Sequence, residues 1–398
     1  MAESKNVALV FGASGISGWA VAKNVLSYPT PTTFSRVIGL THRPRTVEES
    51  GLPKDPRLEL HSGINLRSSL DDVLEQLQKI PNVDEVTHVY YLAYSNATAY
   101  SENVMDIRDI NVNMTHNAVH ACDRLCTKMQ FFVLQTGTNN YGVAVFRFQD
   151  QIEITPPLKE DQPRIPSPWG DEIFYYGQVD IIKEANRGKS WKWCEVRPDQ
   201  IVGHVPTPTS MTFVEPLALY LALYRYVNGP NASVPFPGTY KNFTHTYTPS
   251  SQDIIARSEI YLSVIKPAQA HGEAFNTADS DTPAPWSTMW PLMCRYYGLR
   301  GEEATPERNT GWGGIDGWWG EHGADYERMC AEYGLQRRGV GEGSWIFLKA
   351  AFTLLERSRH LSLEKIRALG FEEEFPVGHG YWRVFDYLAG EKITPVFK

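Results

Sequence analysis

Three glycines spaced three residues apart, Gly12, Gly15 and Gly18, stand in VALVFGASGISGWAVAKNVL (residues 7 to 26), directly after an apolar run and ahead of a helical pattern. Such a turn binds phosphate. One glycine allows a tight bend, one lets backbone approach a pyrophosphate, and one lets helix and strand pack closely. Ser14 and Ile16 complete the turn, and a helix opening near Ile16 would aim its N–H groups and positive dipole end at the phosphates. Which nucleotide binds depends on the end of the second strand, where an acidic residue would hold the ribose hydroxyls of NAD. The chain instead reads Gly39-Leu40-Thr41-His42-Arg43-Pro44-Arg45. A guanidinium pairs bidentately with a 2′-phosphate, so Thr41, His42 and Arg43, with Arg45 second to Arg43, are expected to select NADP(H).

A second chemistry is available in FYYGQVD (174 to 180). In short-chain dehydrogenases a tyrosine donates a proton to the substrate oxygen, and a lysine four residues later anchors the ribose and shifts the tyrosine's pKa. Here Tyr176 is followed four residues on by Asp180, so that pair is absent and a generic alcohol dehydrogenase loses support. Other candidates stand at strand ends. Thr136 and Gly137 should border the nicotinamide; Arg197, Pro198, Ile201 and Val202 should lie toward its carboxamide; Tyr94 should line the phosphate or ribose side. Glu160 and Asp161 are expected to make a surface turn rather than an acid/base pair.

The elements that must position these groups alternate. Strand patterns at 7–11, 35–43, 57–64, 87–95, 130–136 and 191–203 are separated by helical ones, among them SSLDDVLEQLQKI (68 to 80), which opens on a serine cap and keeps Leu70, Val73, Leu77 and Ile80 on one face. Another helix is expected over 107–126 and one opening at 174. This rhythm predicts an α/β fold: a Rossmann-type, doubly wound parallel sheet with ligands at the carboxyl ends of its strands. A proline-rich connection (154 to 172) interrupts it. Beyond Pro206, aromatic and glycine-rich segments such as GWGGIDGWWGEHG (311 to 323) replace the strands. Residues 1–205 are therefore expected to form the NADP-binding domain. Residues 206–398 should form a smaller, mainly helical substrate-binding region partly interleaved with it, its tryptophans serving mostly as core.

Composition sets limits. A net charge of −8 over 398 residues, without long runs, argues against nucleic acid or an anionic membrane as partner and favours small-molecule chemistry. The first apolar run is too short for a signal sequence, and no stretch approaches ~18 uninterrupted apolar residues, so a soluble, cytoplasmic protein is expected, with a homodimer left open. Five scattered cysteines give no disulfide framework. Cys122 and Cys126 lack the further ligands of a tetrahedral site, so no metal is expected. The sequons at Asn96, Asn113, Asn231 and Asn242 are read as chance matches.

Taken together, GASGISG (12 to 18), THVYYLAYSN (87 to 96), LQTGTNNYG (134 to 142), PPLKEDQPRI (156 to 165), FYYGQVD (174 to 180) and VRPDQIVGHVP (196 to 206) resemble the progesterone 5β-reductase/iridoid synthase family, atypical extended short-chain dehydrogenases. The phrases keep the family's order over residues 5 to 206, and a looser similarity continues through GEAFNTADSD (272 to 281). The resemblance implies NADPH-dependent 1,4-reduction of an apolar enone or enal: hydride adds to the β-carbon and a tyrosine hydroxyl stabilises the enolate oxygen. The family phrase points to Tyr175 and the general helix-start pattern to Tyr176, so both remain open. The family's second catalytic group is a lysine, and Asn139 occupies its position in Thr136-Gly137-Thr138-Asn139-Asn140-Tyr141. A neutral donor bonds about half as strongly as a charged one. Two alternatives follow from that exchange: a cyclase or isomerase on which NADP is a scaffold without net redox, and a non-catalytic NADP(H)-binding sensor.

Overall fold

The apolar run after residue 6 forms β1 (Asn6–Phe11), with Val7, Leu9 and Phe11 buried on one face of a sheet and Ala8 and Val10 on the other. A strand buried on both faces is continuously apolar because helices cover each side. In the computed structural model the described residues are 6–95, 104–145, 150–207, 209, 211–306, 315–338 and 342–397. β1 is followed by β2 (Phe34–Thr41), β3 (Leu58–Ser62), β4 (His88–Tyr91), β5 (Phe131–Gln135), β6 (Lys192–Pro198) and β7 (Ala274–Thr277). They pair in the order β7-β6-β5-β4-β1-β2-β3, every neighbouring pair parallel. Strand order reverses beside β1, which opens a crevice at the strands' carboxyl ends.

Helix α1 (Ile16–Asn24) covers the Ala8/Val10 face, while α2 (Leu70–Gln78), α3 (Val104–Leu125) and α4 (Phe174–Asn186) cover the Val7/Leu9/Phe11 face. α2 starts as its sequence expects: the Ser69 hydroxyl accepts from the Asp72 amide and the Asp72 carboxylate accepts from the Ser69 amide. Val73 and Leu77 are fully buried on its inner face.

β7 was not expected. It is only four residues long, but Phe275 pairs with Val196 and Asn276 with Arg197, so the chain beyond residue 206 returns to the sheet and completes its edge. The same stretch builds α5 (Val214–Asn228), α6 (Gln252–Ile260), α7 (Trp286–Tyr296), α8 (Gly323–Tyr333), α9 (Glu342–Thr353) and α10 (His379–Gly390). α6 joins α1 on the sheet; the others surround a separate core in which Phe213, Trp286, Trp290, Phe352 and Tyr381 meet. Trp286 and Trp290 are fully buried, as core tryptophans should be. Of the segment at 311–323, residues 315–321 form a short helix, while 311–314 lie outside the described residues, as does the sequon at Asn96. All five cysteines are free and buried, and among the described residues no His/Cys/Asp/Glu cluster suits a metal ion and no helix is long and apolar enough to cross a membrane.

Candidate active site

The glycine turn connects β1 to α1. Gly12 has φ +81°, and a Cβ there would lie 2.9 Å from the Leu92 carbonyl oxygen. A Cβ on Gly18 would lie 2.1 Å from the Gly12 oxygen, so both positions admit only glycine. Gly15 is the N-cap of α1 and its amide bonds the Gly12 oxygen at 2.9 Å; Ser14 is half-buried beside it. Ile16 faces Gly203, where a Cβ would lie 2.5 Å from its Cγ2, so the chain just after the two-residue strand Ile201–Val202 closes over the start of α1. Ile201 and Val202 themselves pair with Ser250 and Ser251.

At the end of β2 the Thr41 hydroxyl donates to the Arg43 carbonyl oxygen at 2.9 Å and lies 3.0 Å from the Ser62 hydroxyl. His42 and Arg43 are exposed. Arg45 is half-buried; its amide donates to Ser62 Oγ at 3.0 Å, and its Nε is enclosed with no hydrogen-bond partner among the described residues. Neither arginine forms an ion pair among the described residues.

β5 ends in a tight turn, Thr138–Tyr141, held from below by a buried polar network. The Thr136 hydroxyl donates to Glu195 Oε1 at 2.6 Å, and Asn140 Nδ2 reaches the same oxygen at 2.8 Å. Glu195 Oε2 accepts from Arg197 Nη2 at 2.7 Å, and Arg197 also lies over the Tyr141 ring, 5.4 Å from its centroid. The Arg197 guanidinium is therefore tied to protein groups beneath the turn. Pro198, the last residue of β6, presents its carbonyl oxygen 3.3 Å from where a Gly137 Cβ would be. Glu160 and Asp161 stand on a turn as expected, with Asp161 exposed, while the Glu160 carboxylate turns inward to accept from the Asn276 amide at 2.7 Å, and burial pushes its pKa up. Its partner, a residue of β7, was invisible while β7 itself was.

The two tyrosines of α4 separate here. The Tyr176 hydroxyl donates to the Asn140 carbonyl oxygen at 2.6 Å and accepts from the Ile165 amide at 2.9 Å, so it braces the turn. The Tyr175 hydroxyl has no hydrogen-bond partner among the described residues and sits 3.4 Å from where a Gly137 Cβ would be, at the carboxyl end of β5. Burial raises its pKa, with Tyr94 and Glu195 adding to the rise, so the phenol is a protonated donor at neutral pH. Phe174 packs edge-on against Tyr175 with centroids 4.5 Å apart, and Tyr94 stacks on Phe174 at 5.8 Å and 21°. Asn139 is half-buried, and its Oδ1 accepts from the Ala144 amide at 3.0 Å, closing the loop after the turn.

Sequence reasoning did not single out Asn140, Glu195 or Asn111. Each is a buried polar residue whose partners come from elsewhere in the chain, and only a polar residue within an otherwise apolar pattern signals it.

Residues 8–395 match the PRISE-like Rossmann-fold domain. The short chain dehydrogenase ausT of Aspergillus calidoustus is 58% identical over 394 residues, covering 99% of this chain and 95% of that one. The 3-oxo-Delta(4,5)-steroid 5-beta-reductase of Arabidopsis thaliana is 29% identical over 345 residues, 86% of this chain and 82% of its own. Among solved structures, UDP-glucose 4-epimerase from Thermus thermophilus, in complex with NAD, superposes with a TM-score of 0.60 at 15% identity over 96% of this chain and 99% of its own, a likeness of fold. A glycine turn and a tyrosine at the carboxyl end of one parallel sheet, matched over nearly the whole length, place the chain in the PRISE-like Rossmann-fold family, among the reductase-type short chain dehydrogenases.

Proposed function

We propose that the protein is an NADPH-dependent reductase of an activated carbon–carbon double bond in an apolar enone or enal. The observation that carries the reading is the Tyr175 hydroxyl, half-buried, protonated, without a hydrogen-bond partner among the described residues and set at the strand end beside Gly137. The cradle fits a dinucleotide: Gly12 and Gly18 exclude side chains from the turn, and the enclosed Arg45 Nε, beside exposed Arg43, lacks the acceptor a 2′-phosphate would supply. When bound, NADPH supplies the hydride. The chain's own residues hold it through Gly12, Ser14, Gly15, Ile16, Gly18 and the Thr41–Arg45 loop, while Tyr175 donates a hydrogen bond to the substrate oxygen as negative charge gathers there.

Asn139 brings no cation to this oxygen, and its own carbonyl is engaged by Ala144. Conjugate addition tolerates that loss better than carbonyl reduction, because charge spread over an enolate needs less acid assistance than an alkoxide. The residues beyond Pro206 would contribute to the walls of the substrate site.

The test is NADPH consumption by the purified protein with enals, enones and ketones. Turnover of conjugated substrates, lowered about 10²- to 10³-fold by Tyr175→Phe, is expected. No oxidation of NADPH with any of them by the native chain, alongside activity of Asn139→Lys, would overturn it. The absent cation also favours a second reading, cyclisation or isomerisation over bound NADP; substrate change without NADPH loss would establish it.

A further inference from the structure

The geometry points to Asn111 as a positioning residue that holds an aromatic wall, Tyr94 stacked on Phe174, beside the Tyr175 hydroxyl, so that the site selects substrates with a planar ring conjugated to the reacting double bond. This rests on the reductase reading. Tyr94 follows β4 and is 43% exposed, unusual for so large an aromatic ring beside a half-buried phenol. Its ring stacks on Phe174, which meets Tyr175 edge-on, so a continuous aromatic patch runs from the exposed Tyr94 to the candidate donor. Aromatic faces bind planar π-systems by offset stacking and give an acyclic chain less contact.

Tyr94 sits on a loop, and a loop holds a wall only if something fixes it. Asn111 of α3, with no exposed surface, does so from two sides: its Oδ1 accepts from the Ser95 amide at 2.9 Å and its Nδ2 donates to the Ser95 carbonyl at 2.9 Å. The remaining Nδ2 hydrogen goes to the Ile107 oxygen at 2.8 Å, so the carboxamide is fully engaged. The Asn111 carbonyl accepts from the Thr115 hydroxyl at 3.0 Å, and that hydroxyl accepts from Gln178 Nε2 of α4 at 2.7 Å. Gln178 lies one helical turn beyond Phe174, so the clamp on Tyr94's loop and the helix carrying Phe174 and Tyr175 share one buried chain of hydrogen bonds.

Steady-state kinetics with NADPH would compare benzylideneacetone, a ring-bearing enone, with methyl vinyl ketone, which has no ring. Tyr94→Ala and Asn111→Ala are each expected to raise KM for benzylideneacetone about tenfold with kcat within about threefold, the scale of losing one aromatic partner. KM for methyl vinyl ketone should hold, and the double variant should be no worse than Tyr94→Ala, since Asn111 acts through Tyr94. Equal losses on both probes, or additive ones, would overturn the inference. Should Asn111→Ala fail to fold, Ser95→Pro removes the amide donor of the same clamp from the loop side and is held to the same outcomes. If the native protein turns over neither probe, the reductase reading is decided by the wider panel of enals, enones and ketones, and binding of benzylideneacetone to the NADP⁺-saturated protein decides the wall alone: weaker binding by both variants upholds it, and unchanged or undetectable binding refutes it.

Discussion

Tyr176 donates its hydroxyl to the Asn140 carbonyl oxygen at 2.6 Å, and this bond, with the Ile165 amide on its other side, makes it part of the scaffold. Tyr176→Phe leaves a carbonyl and an amide without their partner, a cost of about 1–3 kcal/mol. The expected outcome is a lower melting temperature with NADPH affinity preserved, measured by thermal unfolding and fluorescence titration. Loss of turnover with unchanged stability would instead put Tyr176 at the substrate.

Adjacent residues on a helix point about 100° apart, so no pattern in FYYGQVD distinguishes a bracing tyrosine from a free one. The partners that do so, Asn140 and Ile165, lie outside that phrase, 36 and 11 residues from Tyr176. The glycine turn and the parallel sheet were legible because their causes are local: glycine is required where a Cβ would strike Gly12, and apolar strands alternate with one-sided helices. β7 was not, since Ala274–Thr277 is a strand by virtue of pairing with β6. The inward bond of the Glu160 carboxylate was hidden for the same reason, because its partner Asn276 lies on β7.

The loop after β2 should decide cofactor choice. Arg45, with its Nε enclosed and unpartnered among the described residues, is expected to matter at least as much as the exposed Arg43. A charge-assisted bond lost from a phosphate contact corresponds to about 10- to 100-fold in affinity, so Arg45→Ala should weaken NADPH by that factor. NADH affinity, lacking the 2′-phosphate, should stay within about twofold. Titrating both nucleotides separates this from general damage: equal weakening of the two denies Arg45 a phosphate role.

Asp279 introduces a pH dependence into the fold. Burial raises its pKa to about 7, against the lowering effect of bonds from the Ser251 amide and hydroxyl and of the Arg383 charge. The unfolded chain ionises it near ~4, so the native state keeps the proton to higher pH. Its contribution is therefore fully present below about pH 4 and is lost as pH rises through about 7. Asp279→Asn keeps an acceptor for the Ser251 amide without titrating. Its melting temperature should fall less than that of the native protein between pH 5 and 8, and parallel curves would refute the assignment.

Glu259 is the costlier buried acid. Its carboxyl group is fully enclosed in α6, both oxygens lack hydrogen-bond partners among the described residues, and burial alone drives its pKa well above the usual carboxylate range. An unpartnered polar group in such a place costs about 1–3 kcal/mol, and the penalty grows with pH because the unfolded chain releases a proton that the native chain keeps. Glu259→Met replaces it with an apolar chain of similar length. The variant should unfold at higher temperature than the native protein, by a margin wider at pH 8 than at pH 5. A margin that is absent or shrinks with pH would mean that the carboxyl group is paired in solution.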